Sequence, residues 1–432
     1  MSFLDDTRHV AEYAATVRRV TRAWNRLPQD KKDLIRGRLQ EARDRCQNIV
    51  KDKDTRQHVE PVLALAASSI DLSVDDFLKW LKDLVDALEG TPVIDAAGAV
   101  WGFMKYQQIN VGWLASFLFW LENAVDGDKV SFRTTPATIQ IPDETTIGVV
   151  GDYGTGTWGD KASPAKQISD WLNQHPQDYF VHLGDIYYSG EPKEDIKNFV
   201  RLLPKTNRQV WLTLNGNHDM YSQNNAGAGY FLTLLDKTPQ FEQQQNTSYF
   251  ALENSNWIVV GLDTTYFDSR WNLYMQGNLD DRFQIPFLKE KALAAQSQGK
   301  KLLIMTHHNG LEGNGEQKTP LWNQVAEAVS AAPKPVYWYW GHVHAGVVYD
   351  DEDGIRPRIC GHSAIPWGRT TGKDFIRDYQ GGTVKWVENR LADNPSYPGQ
   401  LNNGFAILTL HGADLIEVFY GQDGTPGWSS AD

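Results

Sequence analysis

Apolar positions repeat in two different ways along this chain. Up to about residue 125 they recur every three or four positions. Tyr13, Val17, Val20 and Trp24 mark one stripe, and Phe77, Trp80, Leu81, Leu84 and Leu88 mark another. That period places them on one face of a helix. Leu27-Pro28 closes the first segment, and Pro28 sits where a second helix, through Leu34, Ile35, Leu39 and Ile49, starts. Ser73 with Asp75 and Asp76 is a capping signal ahead of Phe77, and Gly90 is the stop. Val111 to Val125 is apolar around most of its circumference and reads as a buried helix. Residues 1–127 are therefore expected to form an all-helical N-terminal domain of roughly four to six helices.

Near Lys129 the pattern changes to short apolar runs bounded by Gly, Asn and Asp. These are Thr146–Val150, Tyr179–Leu183, Val210–Leu214, Trp257–Leu262, Leu302–Met305, Val336–Trp340, Phe405–Leu410 and Leu415–Phe419. Helical spacing returns between them at Ala165–Leu172, Lys193–Leu203, Ile285–Ser297 and Trp322–Ala331. Continuous apolar strands alternating with helices predict an α/β (α+β) domain over 140–432, its sheets covered on both faces. The last two runs flank the turn His411-Gly412-Ala413-Asp414 and read as a hairpin. Two stretches, 220–248 and 362–403, carry neither period, and loops of that length are usually functional.

Composition narrows the class of protein. Forty-one per cent hydrophobic and 22% charged residues are ordinary for a globular chain and exclude a disordered or collagen-like one. Sixteen Trp, 17 Tyr and 17 Phe are many, and they suit core, pocket and interface alike. The net charge of −12 disfavours non-specific nucleic-acid binding. Residues 8–56 run the other way, with 14 Lys/Arg against 7 Asp/Glu. That stretch reads first as a solvated helix face and second as a partner or phosphate-backbone surface. Cys46 and Cys360 cannot frame a disulfide-rich fold. The first eight residues lack the apolar core of a signal peptide, and the longest apolar run, Val111 to Leu121, is about half the ~20 residues a membrane span needs. A cytoplasmic protein without membrane attachment is the expectation.

The chemistry lies at the ends of the strands. Thr146–Val150 runs into Gly151-Asp152, Tyr179–Leu183 into Gly184-Asp185, and Val210–Leu214 into Asn215-Gly216-Asn217-His218-Asp219. Leu302–Met305 leads to Thr306-His307-His308, and Val336–Trp340 to Gly341-His342-Val343-His344. Carboxyl ends of strands are where open α/β sheets bind ligands. Glycines there let short side chains aim at one point. Carboxylate, amide oxygen, phenolate and imidazole form a mixed donor set suited to Mn, Fe or Zn. Asp152, Asp185, Asn217, His307, His342 and His344 are too many for one four-coordinate ion and suit two ions sharing a carboxylate.

This ordered set resembles the metallophosphoesterase (calcineurin-like phosphoesterase) superfamily, and within it the purple acid phosphatase pattern. The matching segments are 151–154 (GDYG), 184–188 (GDIYY), 216–219 (GNHD), 304–307 (IMTH) and 341–344 (GHVH). The resemblance covers roughly residues 145–420. It implies a four-layer α/β/β/α sandwich. It also implies a phosphoric ester hydrolase in which a metal-bound hydroxide attacks a phosphate monoester in line. By that resemblance Asp152, Tyr188 and His344 hold the first metal, typically Fe(III). Asn217, His307 and His342 hold a divalent Fe, Zn or Mn, and Asp185 bridges the two; a di-manganese pair is the alternative. Spacing favours Tyr188 over Tyr187. His218 contacts the phosphoryl oxygen or the leaving group and Asp219 orients it, while His308 is open between substrate contact and support. His362, Arg369 and Lys373 are weaker candidates for phosphate contacts.

The chain departs from that family in three places. Asn309 and Gly310 stand where relatives carry a Pro, no secretion signal is read, and the N-terminal region is helical, not β-rich. The substrate is expected to be a small phosphate ester. A phosphodiesterase or nuclease acting on nucleotides or nucleic acid is the runner-up, and a non-catalytic interaction module the third reading. Self-association, a lid over the site and docking of a protein partner are the roles open to the helical domain.

Overall fold

In the computed structural model the apolar runs become strands of two sheets packed face to face. The structure describes residues 25–26, 28–30, 32–33, 93–94, 100–101, 106, 111–158, 163–205, 210–223, 225–365, 379, 381–393 and 400–431. Its strands are β1 (Ala137–Gln140), β2 (Glu144–Val150), β3 (Tyr179–His182), β4 (Val210–Thr213), β5 (Phe250–Glu253), β6 (Trp257–Gly261), β7 (Lys301–Thr306), β8 (Val336–Trp340), β9 (Gly346–Tyr349), β10 (Ile355–Cys360), β11 (Val384–Val387), β12 (Gly404–His411), β13 (Asp414–Gly421) and β14 (Pro426–Ser429). One sheet has the order β14-β13-β12-β2-β3-β4 and the other β11-β9-β10-β8-β7-β6-β5-β1.

Each sheet has a parallel centre. Strands β2, β3 and β4 run together, with Val150 beside His182 and His182 beside Thr213. Strands β6, β7, β8 and β10 do the same, with Thr306 beside Trp340. The loops that follow these strands therefore leave each sheet side by side.

Side chains alternate across each strand, so every strand serves two layers. Ile147, Val149, Val181 and Leu212 face Val259, Leu303, Met305 and Tyr339 in the seam between the sheets. Val150, Phe180 and Trp211 turn outward against helices α1 (Val111–Asp126) and α2 (Pro164–Gln174). Ile258, Val260, Leu302 and Ile304 turn outward against α3 (Gln284–Gln298) and α4 (Pro320–Ala328). The result is the expected four-layer α/β/β/α sandwich. A buried ion pair clasps the two sheets: Arg358 on β10 donates to both carboxylate oxygens of Glu417 on β13, at 2.8 and 3.1 Å.

Helix ends follow local chemistry. The Ser163 hydroxyl accepts from Lys166 N–H ahead of Pro164, and the Thr319 hydroxyl accepts from Trp322 N–H ahead of Pro320. Gly299 ends α3 with φ +65°. The helix expected over Lys193–Leu203 is instead one α turn at Pro192–Glu194, wide turns at Asp195–Phe199 and a tight turn at Val200–Leu202. The stretch 220–248 is not an open lid. Its helical turns Tyr230–Leu235 and Pro239–Gln244 bury Tyr230, Phe231, Leu234 and Phe241 in the core beside the six-stranded sheet. The stretch 362–403 supplies edge strand β11, while 366–378, 380 and 394–399 lie outside the described residues.

Most of 1–110, including the Phe77 helix and nearly all of the basic stretch, also lies outside the described residues. Among those described, 93–94 and 100–101 depart from the all-helical expectation by pairing as antiparallel strands. Helix α1 matches its expected span, but Trp120 and Ala124 join the core cluster of Val150 and Tyr153. A boundary at 127 thus divides the sequence and not the packing. Among the described residues, no helix is long and apolar enough to cross a membrane.

Candidate metal centre

The first turn after β2, β3 and β8 is left-handed. Asp152, Asp185 and His342 have φ of +58°, +74° and +62°. Such backbone costs on the order of 1–3 kcal/mol per residue and persists where surrounding bonds impose it. Here Asp152 N–H donates to Gly184 O at 3.0 Å and Gly154 N–H to Asp185 O at 3.3 Å. The buried Asp219 carboxylate accepts from the N–H groups of Asp185, Ile186 and Gly216 at 3.1, 3.1 and 2.7 Å. Gly216 is required where it stands, because a Cβ there would lie 2.2 Å from Asp185 Oδ1.

Two groups of donor atoms converge. In the first, the Tyr187 hydroxyl lies 2.7 Å from Asp152 Oδ1, 3.1 Å from Asp185 Oδ2 and 2.9 Å from His344 Nε2. In the second, Asn217 Oδ1 lies 3.0 Å from His307 Nε2 and 2.9 Å from His342 Nδ1. Asp185 belongs to both, since its Oδ1 is 3.4 Å from His307 Nε2. A coordination shell with ligand bonds of about 2.1 Å has edges of roughly 3.0–3.4 Å; the 3.0, 3.1 and 3.4 Å spacings match such edges, while the Tyr187 hydroxyl donates to Asp152 Oδ1 at hydrogen-bond distance, 2.7 Å.

The hydrogen bonds around Asn217 aim its oxygen at the histidines. Tyr221 O–H donates to Leu273 O at 2.7 Å, so it accepts from Asn217 Nδ2 at 2.9 Å, and that fixes the amide with Oδ1 toward the histidines. His307 Nδ1 lies 2.9 Å from the Leu183 carbonyl, which can only accept, so this nitrogen carries the proton. In the neutral ring His307 Nε2 presents a lone pair to Asn217 Oδ1, a contact that a cation between them would satisfy; in the imidazolium Nε2–H would donate to that oxygen.

Electrostatics point the same way. Burial alone would raise the Asp185 carboxyl, but His307, His218 and His342 hold it below the usual carboxylate range. Burial, with His308 and His307 behind it, pushes the His342 imidazole well below its ordinary value, which favours the neutral ligand form.

The structure brings Asp152, Asp185, Asn217, His307, His342 and His344 together, and with them Tyr187 in place of Tyr188. The Tyr188 hydroxyl instead accepts from Tyr106 N–H at 2.9 Å, and its ring stacks on Tyr106. Asn198 Nδ2 donates to the Tyr187 carbonyl at 2.7 Å, which helps turn that tyrosine inward. His308 is fully buried, with Nδ1 2.9 Å from Thr264 Oγ1 and Nε2 2.7 Å from Tyr274 O. Both its nitrogens are thus engaged by the protein, and its ring offers a ligand atom within 4.8 Å of those of His307 and His342. Half-buried His218 is tied to the cluster by its N–H, which donates to Asp185 Oδ1 at 2.9 Å. His362 is buried between Gly346 and Gly404, away from the cluster, and Arg369 and Lys373 lie outside the described residues. Tyr187, Tyr221 and Ser363, whose Oγ accepts from Gly151 N–H at 3.1 Å, escape the sequence reading. The adjacent tyrosines 187 and 188 are the one signal that could have raised the alternative.

Among solved structures, the chain is similar to a dimetal phosphatase from Danio rerio, at 13% identity and TM-score 0.43, covering 64% of this chain and 95% of that one. It is also similar to GAP50, the anchor in the inner membrane complex of Plasmodium, at 12% identity and TM-score 0.44, covering 66% and 87%. A purple acid phosphatase from yellow lupin (Lupinus luteus) seeds aligns at 13% identity and TM-score 0.42, covering 67% and 54%. Comparison with curated protein sequences gave no match. Residues 145–346, the segment that carries all the donor loops, match the family model described as calcineurin-like phosphoesterase.

Proposed function

We propose that the protein hydrolyses phosphate monoesters with two metal ions, one held by Asp152, Tyr187 and His344 and the other by Asn217, His307 and His342, with Asp185 shared. The observation that carries this reading is the convergence of Asn217 Oδ1 with His307 Nε2 at 3.0 Å and His342 Nδ1 at 2.9 Å. The family supports hydrolysis of phosphate esters as the reaction class. When bound, such a pair supplies Lewis acidity toward a phosphoryl oxygen and a water acidic enough to serve as nucleophile near neutral pH. The ions drawn on are Fe with Fe, Zn or Mn, with two Mn as the alternative.

The chain's own residues set the rest. His218 Nδ1 lies 2.6 Å from the Tyr188 carbonyl and so carries a proton; with the ring as imidazolium, Nε2 carries the second proton and is the one able to protonate the leaving oxygen. Asp219 positions Asp185 through three backbone N–H groups, and His308 packs against His307 and His342 to fix their ring planes.

The test is the rate of Mn-, Zn- or Fe-supplied protein on an aryl phosphomonoester and on the matching diester, with Asp185→Asn as control. Faster monoester turnover that disappears in the variant is the expected result. Undiminished turnover in Asp185→Asn, or no turnover of either ester with any metal, overturns the reading.

A further inference from the structure

Tyr106, Gly112, Trp113 and Ser116 precede the matched segment, yet they pack directly on its tyrosine pair. The backbone of α1 lies flush on Tyr188: a Cβ at Gly112 would meet the ring carbon Cζ at 2.3 Å. One turn later the Ser116 hydroxyl donates to the Tyr188 carbonyl at 2.7 Å. That same carbonyl receives the His218 Nδ1 proton at 2.6 Å. A carbonyl oxygen has two lone pairs, and here one serves α1 and the other the catalytic loop. Trp113 completes the contact. Its ring meets His218 edge-on at 5.4 Å, Tyr187 at 5.5 Å and Tyr188 at 5.0 Å between centroids. Tyr187 and Tyr221 approach the His218 ring as well, both at 4.8 Å.

We infer that α1 is a positioning element of the active site, in which Ser116 and Trp113 hold the His218 ring so that Nε2 faces the leaving-group oxygen. The inference rests on the reading of His218 as the group that protonates that oxygen. As a water oxygen bonds to phosphorus and the ester P–O bond breaks, that bond's electron pair passes to the leaving oxygen, which takes the Nε2 proton of the His218 imidazolium; the ring keeps its Nδ1 proton on the Tyr188 carbonyl and regains the other from the water consumed. Ser116 pins the carbonyl that orients Nδ1, and Trp113 closes one side of the ring. Aromatic edge contacts and a shared acceptor limit rotation about the His218 side-chain bonds, and misalignment of a proton donor is paid in rate.

Proton donation gives the test its readout. An alkyl phosphate leaves as a basic alkoxide and needs the proton, whereas a nitrophenyl phosphate leaves as a stable phenolate and hardly does. The metal-loaded full chain, as wild type, Ser116→Ala, Trp113→Ala and Trp113→Phe, is assayed on both monoesters, alone and combined with His218→Ala. Ser116→Ala is expected to lower kcat about tenfold on the alkyl ester, with KM within about twofold and little change on the nitrophenyl ester. Trp113→Ala is expected to lose more, and Trp113→Phe to recover most of it. In the His218→Ala background Ser116→Ala should add nothing, because both act through one ring. Equal losses on both esters, or losses that add to that of His218→Ala, overturn the inference and leave the phosphoesterase reading intact. A wild-type chain that turns over neither ester sinks that reading and this inference together.

Discussion

The two sheets make unequal contributions to the candidate metal centre. Loops after the six-stranded sheet supply oxygen: Asp152, Asp185, Asn217 and the Tyr187 hydroxyl. Loops after the eight-stranded sheet supply nitrogen: His307, His342 and His344. Each donor group therefore draws on both sheets, and the spacing within it is set by the packing of the seam. The difference teaches why the seam is so tightly built. Ile147, Val149, Val181, Leu303, Met305 and Tyr339 are all completely buried there, and a close-packed interior transmits small shifts without absorbing them.

Removing the one carboxylate that both groups share should have the largest effect. Asp185→Asn is expected to lower turnover roughly 10³-fold or more, the loss of several kcal/mol of charge stabilisation. A loss no larger than that of a peripheral variant such as Lys289→Ala would break the two-sided picture. Next comes the clasp between the sheets. Glu417→Gln strands the Arg358 charge in the interior and should destabilise the fold by about 3–5 kcal/mol in denaturant titration. Metal affinity should fall with it if seam geometry sets ligand spacing.

The tyrosine pair sharpens the comparison on the oxygen side. Tyr187→Phe is expected to weaken metal binding about 10–100-fold by competition with a chelator, and Tyr188→Phe to leave it unchanged. The reverse order would return the ligand role to Tyr188. The smallest expected effect is a pH dependence confined to the six-stranded side. Burial pushes the Glu191 carboxyl from its ordinary 4.5 up to about 7, against the opposing hydrogen bond from Gln223 N–H. The folded state thus holds this proton more tightly than the unfolded chain. Its contribution to stability is complete below pH 4.5 and is lost as pH rises through about 7. Glu191→Gln should flatten the fall in denaturation midpoint across that window, and an unchanged slope would place the titration elsewhere.

The sequence made one part of this site legible and hid another, for physical reasons. Asp152, Asp185, Asn217, His307, His342 and His344 each follow an apolar run at the end of a parallel strand, so local pattern and topology agree on where they point. The Tyr187/Tyr188 choice has no local signal. Two neighbours on one loop point opposite ways, and the outcome depends on Tyr106, Gly112 and Asn198, none of them adjacent in sequence. In sequence His308 is open between substrate contact and support; in the fold Thr264 and Tyr274 engage both of its nitrogens. The apolar circumference of α1 predicts a buried helix but is silent on what it packs against, here Tyr188 and His218. Strand β10 escapes the apolar-run criterion because Arg356, Pro357 and Arg358 interrupt it, although Arg358 is there to meet Glu417.

The central claim is that each sheet contributes to both of two metal positions. It is tested most directly by counting tightly held transition-metal ions per chain in the wild type, in Asp152→Asn and in His342→Asn. The account predicts two ions in the wild type, with one lost in each variant because each change opens a different donor group. A single ion or none in the wild type, or two ions retained in both variants, would contradict it.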